Sequence, residues 1–226
     1  SALFFLETPY VGHTLEKEPE QLVVNLGELD CTTFVETVLA LSRTVREKEA
    51  TYEKFLDQLK YIRYRGGVIT DYSSRLHYTT DWIYENEQKG IVKNITLEAG
   101  GVPHKVNLFI MSTNHDKYKQ LKGKPGLTEK IRNIEAEASK RANYRIPAKE
   151  IEKYSKSYRN GDIVGFVTKT AGIDISHVGF IFYDEGKLTF IHASSAQKKV
   201  VVEEESLMNY AVKSKNGNGI MVARPL

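Results

Sequence analysis

The last third of the chain constrains the fold most, because short runs of β-branched and aromatic residues follow one another closely there. Turn residues such as Gly186 separate these runs, which cover residues 161–168, 174–183, 187–193, 198–202 and 219–224. Before about residue 160, apolar residues recur instead at helical spacing. Helices first and strands afterwards predict an α+β fold with an antiparallel sheet, and not alternating βαβ units.

Four segments ahead of the sheet are predicted to be helices, and they cover residues 31–47, 52–64, 75–85 and 128–141. Asp30 is a suitable N-cap for the first of them, which places Cys31 in its first turn. Gly66 and Gly67 end the second. The fourth is polar and charged, so we expect it to lie on the surface.

Composition excludes several classes of function. The 226 residues carry a formal charge of only +3, with Lys and Arg interleaved among Asp and Glu, so nucleic acid is not an expected partner. No apolar run approaches the roughly 18 residues of a membrane span, so stable membrane insertion is not expected. The start lacks the basic region and apolar length of a signal peptide, as in a mature or trimmed chain.

Cys31 is the only cysteine, which excludes an internal disulfide and a Cys-rich zinc site. A free cysteine beside an apolar helix is often just a small buried residue. Here, however, the neighbours Asp30, Thr32 and Thr33 are polar, and the backbone N–H groups of a helix start favour a thiolate. The same N–H groups could hold an oxyanion, so Cys31 is a candidate nucleophile.

Two histidines could complete a site of this kind. His177, in S-H-V-G-F, shares a strand face with Ile175 and Ile181, and His192, in F-I-H-A-S-S, lies on the next strand. Adjacent antiparallel strands can bring the two imidazoles together, one to accept the thiol proton and the other to orient it. The alternative is two unrelated histidines, one buried and one at a strand end.

Four motifs occur in order: D-C-T-T-F-V, G-D-I-V-G-F, S-H-V-G-F and F-I-H-A-S. Together they resemble the NlpC-type cell-wall cysteine peptidases, which have a papain-like core. The resemblance implies Cys31 as nucleophile, His177 as base and His192 as orienting residue, with no metal or cofactor required. It also implies that Tyr10, in T-P-Y-V-G, is the family tyrosine near the thiol. The chain departs from the usual D-C-S-G-F at D-C-T-T-F.

A long segment separates the second helix from the G-D strand and contains Y-R-G-G-V-I, D-Y-S-S-R-L-H-Y-T-T-D-W and P-H-K-V-N-L-F-I-M-S. With it, nearly the whole chain resembles the N-acetylmuramoyl-L-alanine amidase-like branch of bacterial proteins. This implies one catalytic domain over 1–226, with a core of 1–65 and 158–226 and a mostly helical insert of about 66–157.

The same resemblance implies a substrate and a location. It implies cleavage of the amide between the lactoyl group of muramic acid and L-Ala, with a preference for soluble anhydro-muropeptides, during cell-wall turnover. A muropeptide is then the expected partner of a monomeric protein. Because peptidoglycan fragments arise outside the inner membrane, we expect a periplasmic protein.

The insert offers candidate substrate-binding residues: Arg75, His77, Tyr78 and Trp82. At helical spacing Arg75, Tyr78 and Trp82 would share a face, from which aromatic rings stack on sugars and Arg pairs with carboxylates. The alternative is that Tyr78 and Trp82 belong to the core. Weaker candidates for substrate binding are Tyr64 and Arg65. Asp162 is expected to cap a turn and not to take part in chemistry. The remaining histidines are expected to be ordinary loop or surface residues: His13, His104 and His115.

Three other functions stay open at this point. An endopeptidase cutting the γ-D-Glu–diaminopimelate bond would use the same three residues. A zinc-dependent muramoyl amidase would leave Cys31 idle, and the chain lacks an H-E-x-x-H motif. A non-catalytic module that binds cell wall or lipid would be favoured by a missing nucleophile or base, yet all three candidates are present.

Overall fold

Six α-helices and eight β-strands organise the chain, and the computed structural model describes all 226 residues. The helices are α1 (Cys31–Thr44), α2 (Tyr52–Arg63), α3 (Thr79–Gln88), α4 (Ile110–Thr113), α5 (Pro125–Ser139) and α6 (Leu207–Lys213). The strands are β1 (Val92–Asn94), β2 (Val102–His104), β3 (Asn143–Arg145), β4 (Ile163–Thr168), β5 (Ile175–Asp184), β6 (Lys187–Ser194), β7 (Lys199–Val202) and β8 (Gly217–Pro225). None of the helices is both long enough and apolar enough to cross a membrane.

Six of the strands form one sheet in the order β1-β8-β4-β5-β6-β7, and every neighbouring pair is antiparallel. A tight turn at Glu185 and Gly186, whose φ angles are 47° and 88°, joins β5 to β6. β2 and β3 form a separate two-stranded sheet. The α+β class and all five predicted strand segments are therefore confirmed.

Both faces of the large sheet are covered, which explains why apolar residues lie on both faces of β4 and of the middle of β5. Ile163, Phe180 and Ile191 point to a cluster of 33 buried residues that includes Phe34 and Val38 of α1. On the opposite face, alternate residues join a second cluster of 14 that includes Val164, Ile181, Phe190 and two residues of α6, Leu207 and Ala211. The helix that begins at Cys31 thus packs against one face and α6 against the other.

The predicted helix over 75–85 was wrong at its start. Arg75 and Tyr78 have extended backbones (φ −72°, ψ 140° and φ −104°, ψ 136°), and α3 begins only at Thr79. Two contacts explain this: Arg75 forms an antiparallel bridge with Tyr64, and the Asp174 carboxylate accepts hydrogen bonds from the Thr80 N–H and hydroxyl, each 2.7 Å long. Arg75, Tyr78 and Trp82 therefore do not share a helical face.

The segment predicted to be an insert is tied into the rest of the fold. Its strand β1 pairs with β8 at the edge of the large sheet, with Val92 opposite Pro225. Its side chains Ile83 and Met111 lie in the same buried cluster as Phe34. The segment holds α3, α4 and α5 together with three short strands. Its exact boundaries stay a prediction.

Candidate active site

Asp30 caps α1, as predicted, and defines where Cys31 lies. Its Oδ1 accepts a 2.8 Å hydrogen bond from the Thr33 N–H, while the Thr33 hydroxyl oxygen accepts one of 2.9 Å from the Asp30 N–H. Reciprocal capping of this kind stabilises a helix start by about 1 kcal/mol. No backbone carbonyl accepts a hydrogen bond from the N–H groups of Cys31 and Thr32, and the Thr32 N–H acts on the thiol sulfur, so both donors lie at the reacting atom.

The thiol of Cys31 is neutral at rest. Burial, and after it the nearby Asp30 carboxylate, raises its pKa to about 11, although the Val178 and Thr32 amides act in the opposite direction. The backbone N–H groups favour the thiolate, as expected, but desolvation of the buried thiol outweighs them. The geometry accordingly favours a thiol that is deprotonated only when a base takes its proton.

His177 and His192 are brought together, as predicted from their strands. The His177 Nε2 and His192 Nδ1 atoms lie 2.6 Å apart, so one of them donates a hydrogen bond to the other. The two rings meet edge to face at 85°. The backbone pairing of β5 with β6 ends at Phe180 and Ile191, so the side chains connect the strands beyond that point.

Both imidazoles are neutral over the physiological range. Burial lowers the pKa of His177 to about 3, with a smaller contribution from His192, and burial lowers the pKa of His192 to about 4. A neutral imidazole can accept a proton, whereas an imidazolium cannot. His177 thus has the protonation state that a general base requires.

Cys31 and His177 face one cavity of about 270 Å³. Its walls also include Thr32, Tyr72, His77, Tyr78, Thr79, Ile110, Met111, Tyr118, Ile173, Asp174, Ile175, Ser176 and Val178. No hydrogen bond joins the Cys31 Sγ to His177; the thiol lies 4.0 Å from the Thr32 hydroxyl. Nucleophile–base contacts are often loose without substrate, so a bound substrate would have to tighten this one.

Tyr10 lies beside the thiol. It forms a parallel bridge with Leu29, two residues before Cys31, and its N–H donates a 2.8 Å hydrogen bond to the Lys198 carbonyl. Its pKa is raised by burial and then by the nearby Cys31 and Asp30. The sequence-based placement of Tyr10 near the thiol matches this geometry, and its role in positioning an oxyanion stays a prediction.

The family model described as AmiA-like, N-acetylmuramoyl-L-alanine amidase-like, matches residues 1–220. The chain belongs to this family. Membership indicates an amidase-like hydrolase whose substrate derives from peptidoglycan. A search of curated proteins found no match.

Solved structures resemble this AmiA-like protein along its whole length. An N-acetylmuramoyl-L-alanine amidase from Bacteroides uniformis is 36% identical, with a TM-score of 0.93, covering 100% of this chain and 95% of that one. A Bacteroides fragilis protein named as a candidate xylanase is also 36% identical, with a TM-score of 0.93 and coverage of 99% and 98%. Protein LPG0564 from Legionella pneumophila, at 24% identity and a TM-score of 0.76, covers 100% and 86% and shares the fold.

Two of the four predicted substrate-binding residues of this AmiA-like chain line the cavity. His77 is one of them: its Nε2 lies 2.8 Å from the Tyr72 carbonyl oxygen, and burial lowers its pKa to about 3. Tyr78 is the other, and its hydroxyl donates a 2.6 Å hydrogen bond to Glu135. Sequence reasoning missed two further aromatic residues of the wall, Tyr72 and Tyr118, because nothing local distinguishes them from core residues.

Arg75 and Trp82 lie outside this cavity. The Arg75 guanidinium forms ion pairs with Glu16 at 3.1 Å and Glu20 at 3.4 Å, so its charge is already neutralised within the protein. Trp82 is 5% exposed and packs in the larger core cluster. For Trp82 the structure matches the alternative of a core residue, and for Arg75 it shows a structural ion pair.

Two residues beside the histidines were not predicted. The Glu203 Oε2 lies 3.2 Å from the His192 Nε2, on the side opposite His177. The Tyr210 ring of α6 lies 6.3 Å from the His177 ring and 5.8 Å from the His192 ring, centroid to centroid. The run E-E-E over 203–205 has the composition of a surface loop, so the sequence gives no sign of this contact. Glu203 directly follows β7, and the register of β7 against β6 brings it next to His192.

Asp162, by contrast, has the structural role that was predicted. Its Oδ2 accepts a 2.8 Å hydrogen bond from the Arg159 N–H within the turn before β4. The Arg224 guanidinium of β8 donates to both of its carboxylate oxygens, at 2.8 and 2.7 Å. The G-D motif therefore fastens the start of β4 to β8 and contributes no group to the cavity.

Proposed function

We propose that the protein is a cysteine-dependent N-acetylmuramoyl-L-alanine amidase with a papain-like, NlpC-type core. It hydrolyses the amide between the muramic-acid lactoyl group and L-Ala, with GlcNAc-anhydroMurNAc-peptides as preferred substrates. Family membership supports the amidase part of the proposal. The observation that carries the cysteine part is a thiol at a helix start facing the same cavity as a hydrogen-bonded histidine pair.

The first half of the reaction forms a thioester. His177 accepts the Cys31 proton as Sγ attacks the lactoyl carbonyl carbon, because both groups are neutral at rest. The N–H groups of Cys31 and Thr32 at the start of α1, with the Tyr10 hydroxyl, stabilise the oxyanion. When the tetrahedral intermediate collapses, the C–N bond breaks and His177 returns the proton to the L-Ala nitrogen.

The second half of the reaction releases the sugar product. His177 takes a proton from water as the oxygen attacks the thioester carbonyl, and the C–S bond then breaks. Sγ regains the proton, and the lactoyl carboxyl is released. His192 orients His177 in both halves through the 2.6 Å hydrogen bond.

The volume of the cavity limits how much of the substrate it can enclose. At about 270 Å³ it lies just below the usual range of roughly 300–1,000 Å³ for small-molecule pockets. It accommodates the groups on either side of the scissile bond, and a disaccharide with a longer peptide extends beyond it. The wall of Tyr72, His77 and Tyr118 offers aromatic surface next to the thiol.

The γ-D-Glu–diaminopimelate endopeptidase stays the second candidate, since it uses the same thiol and histidines. A glycosidase is disfavoured, because that chemistry requires a pair of carboxylates across the scissile bond. Asp174 is the one carboxylate among the cavity residues, and hydrogen bonds from Thr80 already occupy it. As a muropeptide amidase in cell-wall turnover, the protein would act as a monomer in the periplasm.

Mass spectrometry of the products from a GlcNAc-anhydroMurNAc-tetrapeptide tests the proposal. Free disaccharide and a peptide beginning with L-Ala are the expected products. A disaccharide that still carries L-Ala-D-Glu would replace the amidase with the endopeptidase. No product from this substrate, its reducing-end counterpart or free stem peptides would replace both with a binding module.

A further inference from the structure

The hydrogen-bonded chain that includes the two histidines continues to a third group. His192 lies between two partners: its Nδ1 is 2.6 Å from His177 Nε2 and its Nε2 is 3.2 Å from Glu203 Oε2. His192 is 1% exposed and the Glu203 side chain 12% exposed, so water is largely excluded from both contacts. The protons on these ring nitrogens are therefore set by the protein.

The positions of those protons follow from the hydrogen bonds, taken in order from Glu203 to His192 and then to His177. A carboxylate only accepts hydrogen bonds, so the His192 Nε2 must carry a proton. Since His192 is neutral, its Nδ1 is then bare and can only accept. The His177 Nε2 must in turn donate, which leaves the His177 Nδ1 without a proton.

We propose that Glu203 is a positioning residue that sets the tautomers of His192 and His177, so that His177 presents a bare Nδ1 as its proton acceptor. The proposal rests on the proposed function, in which His177 accepts the Cys31 proton. Without Glu203, the proton between the two histidines could lie on either ring. His177 would then carry Nδ1–H in part of the population and could not act as a base.

The surroundings hold Glu203 in place for this role. Its N–H donates a 2.9 Å hydrogen bond to the Phe190 carbonyl, and its own carbonyl accepts one of 2.6 Å from the Thr189 hydroxyl. Its second carboxylate oxygen, Oε1, accepts a 3.2 Å hydrogen bond from the Glu205 N–H. Both the backbone and the carboxylate are thus fixed against β6, next to His192.

Nitrogen-15 NMR of the imidazoles, on substrate-free protein, tests the tautomers directly. In the wild type we expect both histidines to show a protonated Nε2 and a bare Nδ1. Glu203→Ala and Glu203→Gln should give mixed tautomers at His177, while Glu204→Gln, which removes the exposed neighbouring carboxylate, should leave the spectrum unchanged. A protonated Nδ1 on His177 in the wild type would overturn the proposal, as would unchanged tautomers in a folded Glu203→Ala variant.

Turnover provides the second readout. In Glu203→Gln we expect kcat to fall on the order of 10- to 100-fold, the usual loss for an outer partner of a functional histidine, with KM little changed. A loss confined to KM would contradict a positioning role. If the wild type turns over no muropeptide, the proposed function fails, while the NMR result still decides whether Glu203 sets the tautomers.

Discussion

Glu36 of α1 and Arg63 of α2 form a buried ion pair, with 2.6 Å between the Glu36 Oε2 and the Arg63 Nε and only 2% of each side chain exposed. Arg63 also donates a 2.6 Å hydrogen bond to the Val23 carbonyl, in the segment that leads to the start of α1. One guanidinium therefore links α1, α2 and that segment.

Breaking that pair should cost much of the protein's stability. For Glu36→Gln and Arg63→Met we expect the free energy of unfolding to fall by about 3–5 kcal/mol, because each change leaves a buried charge without its partner. Urea unfolding measures the loss. Asp57→Asn, in the exposed pair with Lys60, is the control and should change little. Equal effects of the buried and exposed changes would contradict the argument.

Replacing the thiol should abolish hydrolysis without unfolding the protein. For Cys31→Ser and Cys31→Ala we expect at least a thousandfold loss of kcat, because Cys31 is the only thiol in the chain and the hydroxyls that share its cavity are far weaker nucleophiles. Liquid chromatography of the muropeptide products measures this, and circular dichroism checks the fold. Ser42→Ala, on the same helix but outside the cavity, should retain full activity. Turnover by either Cys31 variant would rule out the thiol mechanism.

The alkylation rate of Cys31 should rise steeply with pH. Its pKa of about 11 means that the thiolate fraction, and with it the rate with iodoacetamide, increases about tenfold per pH unit up to that value. Because Cys31 is the only cysteine, mass spectrometry reads its labelling without interference. A small-molecule thiol, levelling off near pH 9, is the reference. A plateau below pH 7 would instead indicate a thiolate–imidazolium pair.

Three buried neutral histidines should make the protein sensitive to acid. Burial lowers the pKa values of His77, His177 and His192 to about 3, 3 and 4, below the 6.5 of an exposed imidazole. Below pH 6.5 the unfolded chain binds more protons at these histidines than the folded one. Their contribution to the free energy of unfolding is therefore complete above that pH and is lost as the pH falls toward 3. The decline should amount to several kcal/mol, since each tenfold difference in proton affinity between the folded and unfolded chain corresponds to about 1.4 kcal/mol.

Urea unfolding at successive pH values tests this. His77→Asn should flatten the decline, because one of the three groups is removed, and His13→Asn, at an exposed position, should leave it as in the wild type. An unfolding free energy that is constant between pH 6.5 and 4 would contradict the prediction.

Gly179 should not tolerate a side chain. A Cβ there would lie 2.7 Å from the Ile191 carbonyl oxygen and 3.1 Å from the His192 Cβ. For Gly179→Ala we therefore expect a loss of about 1–3 kcal/mol, together with reduced activity as His192 shifts. Gly126, where an added methyl group would meet no atom within 4 Å, is the matched control and should tolerate Ala in both assays. Unimpaired stability and activity of Gly179→Ala would show that β5 and β6 can separate freely there.

Local patterns were sufficient where the structure depends on neighbouring residues. Alternation along 174–183 and 187–193 predicted β5 and β6, and with them the meeting of His177 and His192. Asp30 was recognised as a cap because its partner lies three residues away. The helix start at Thr79 could not be found in this way, because the capping carboxylate, Asp174, is 94 residues distant.

The candidate site was predictable in part for the same reason. Motifs located Cys31, His177, His192 and Tyr10, all of which carry a recognisable local context. Glu203 lies in an acidic run that resembles a solvated loop, and its contact with His192 depends on strand register. The raised pKa of Cys31 could not be predicted from the helix start, because burial, a tertiary property, outweighs the backbone N–H groups.

The position of β8 has a consequence for the order of folding. β8 comes last of the eight strands along the chain, yet it lies inside the sheet, between β1 and β4. Until β8 has been synthesised, β1 has no partner and one edge of β4 is open to pairing with other chains. The large sheet therefore cannot close progressively during synthesis, and this protein should depend on protection from aggregation until its final strand is in place.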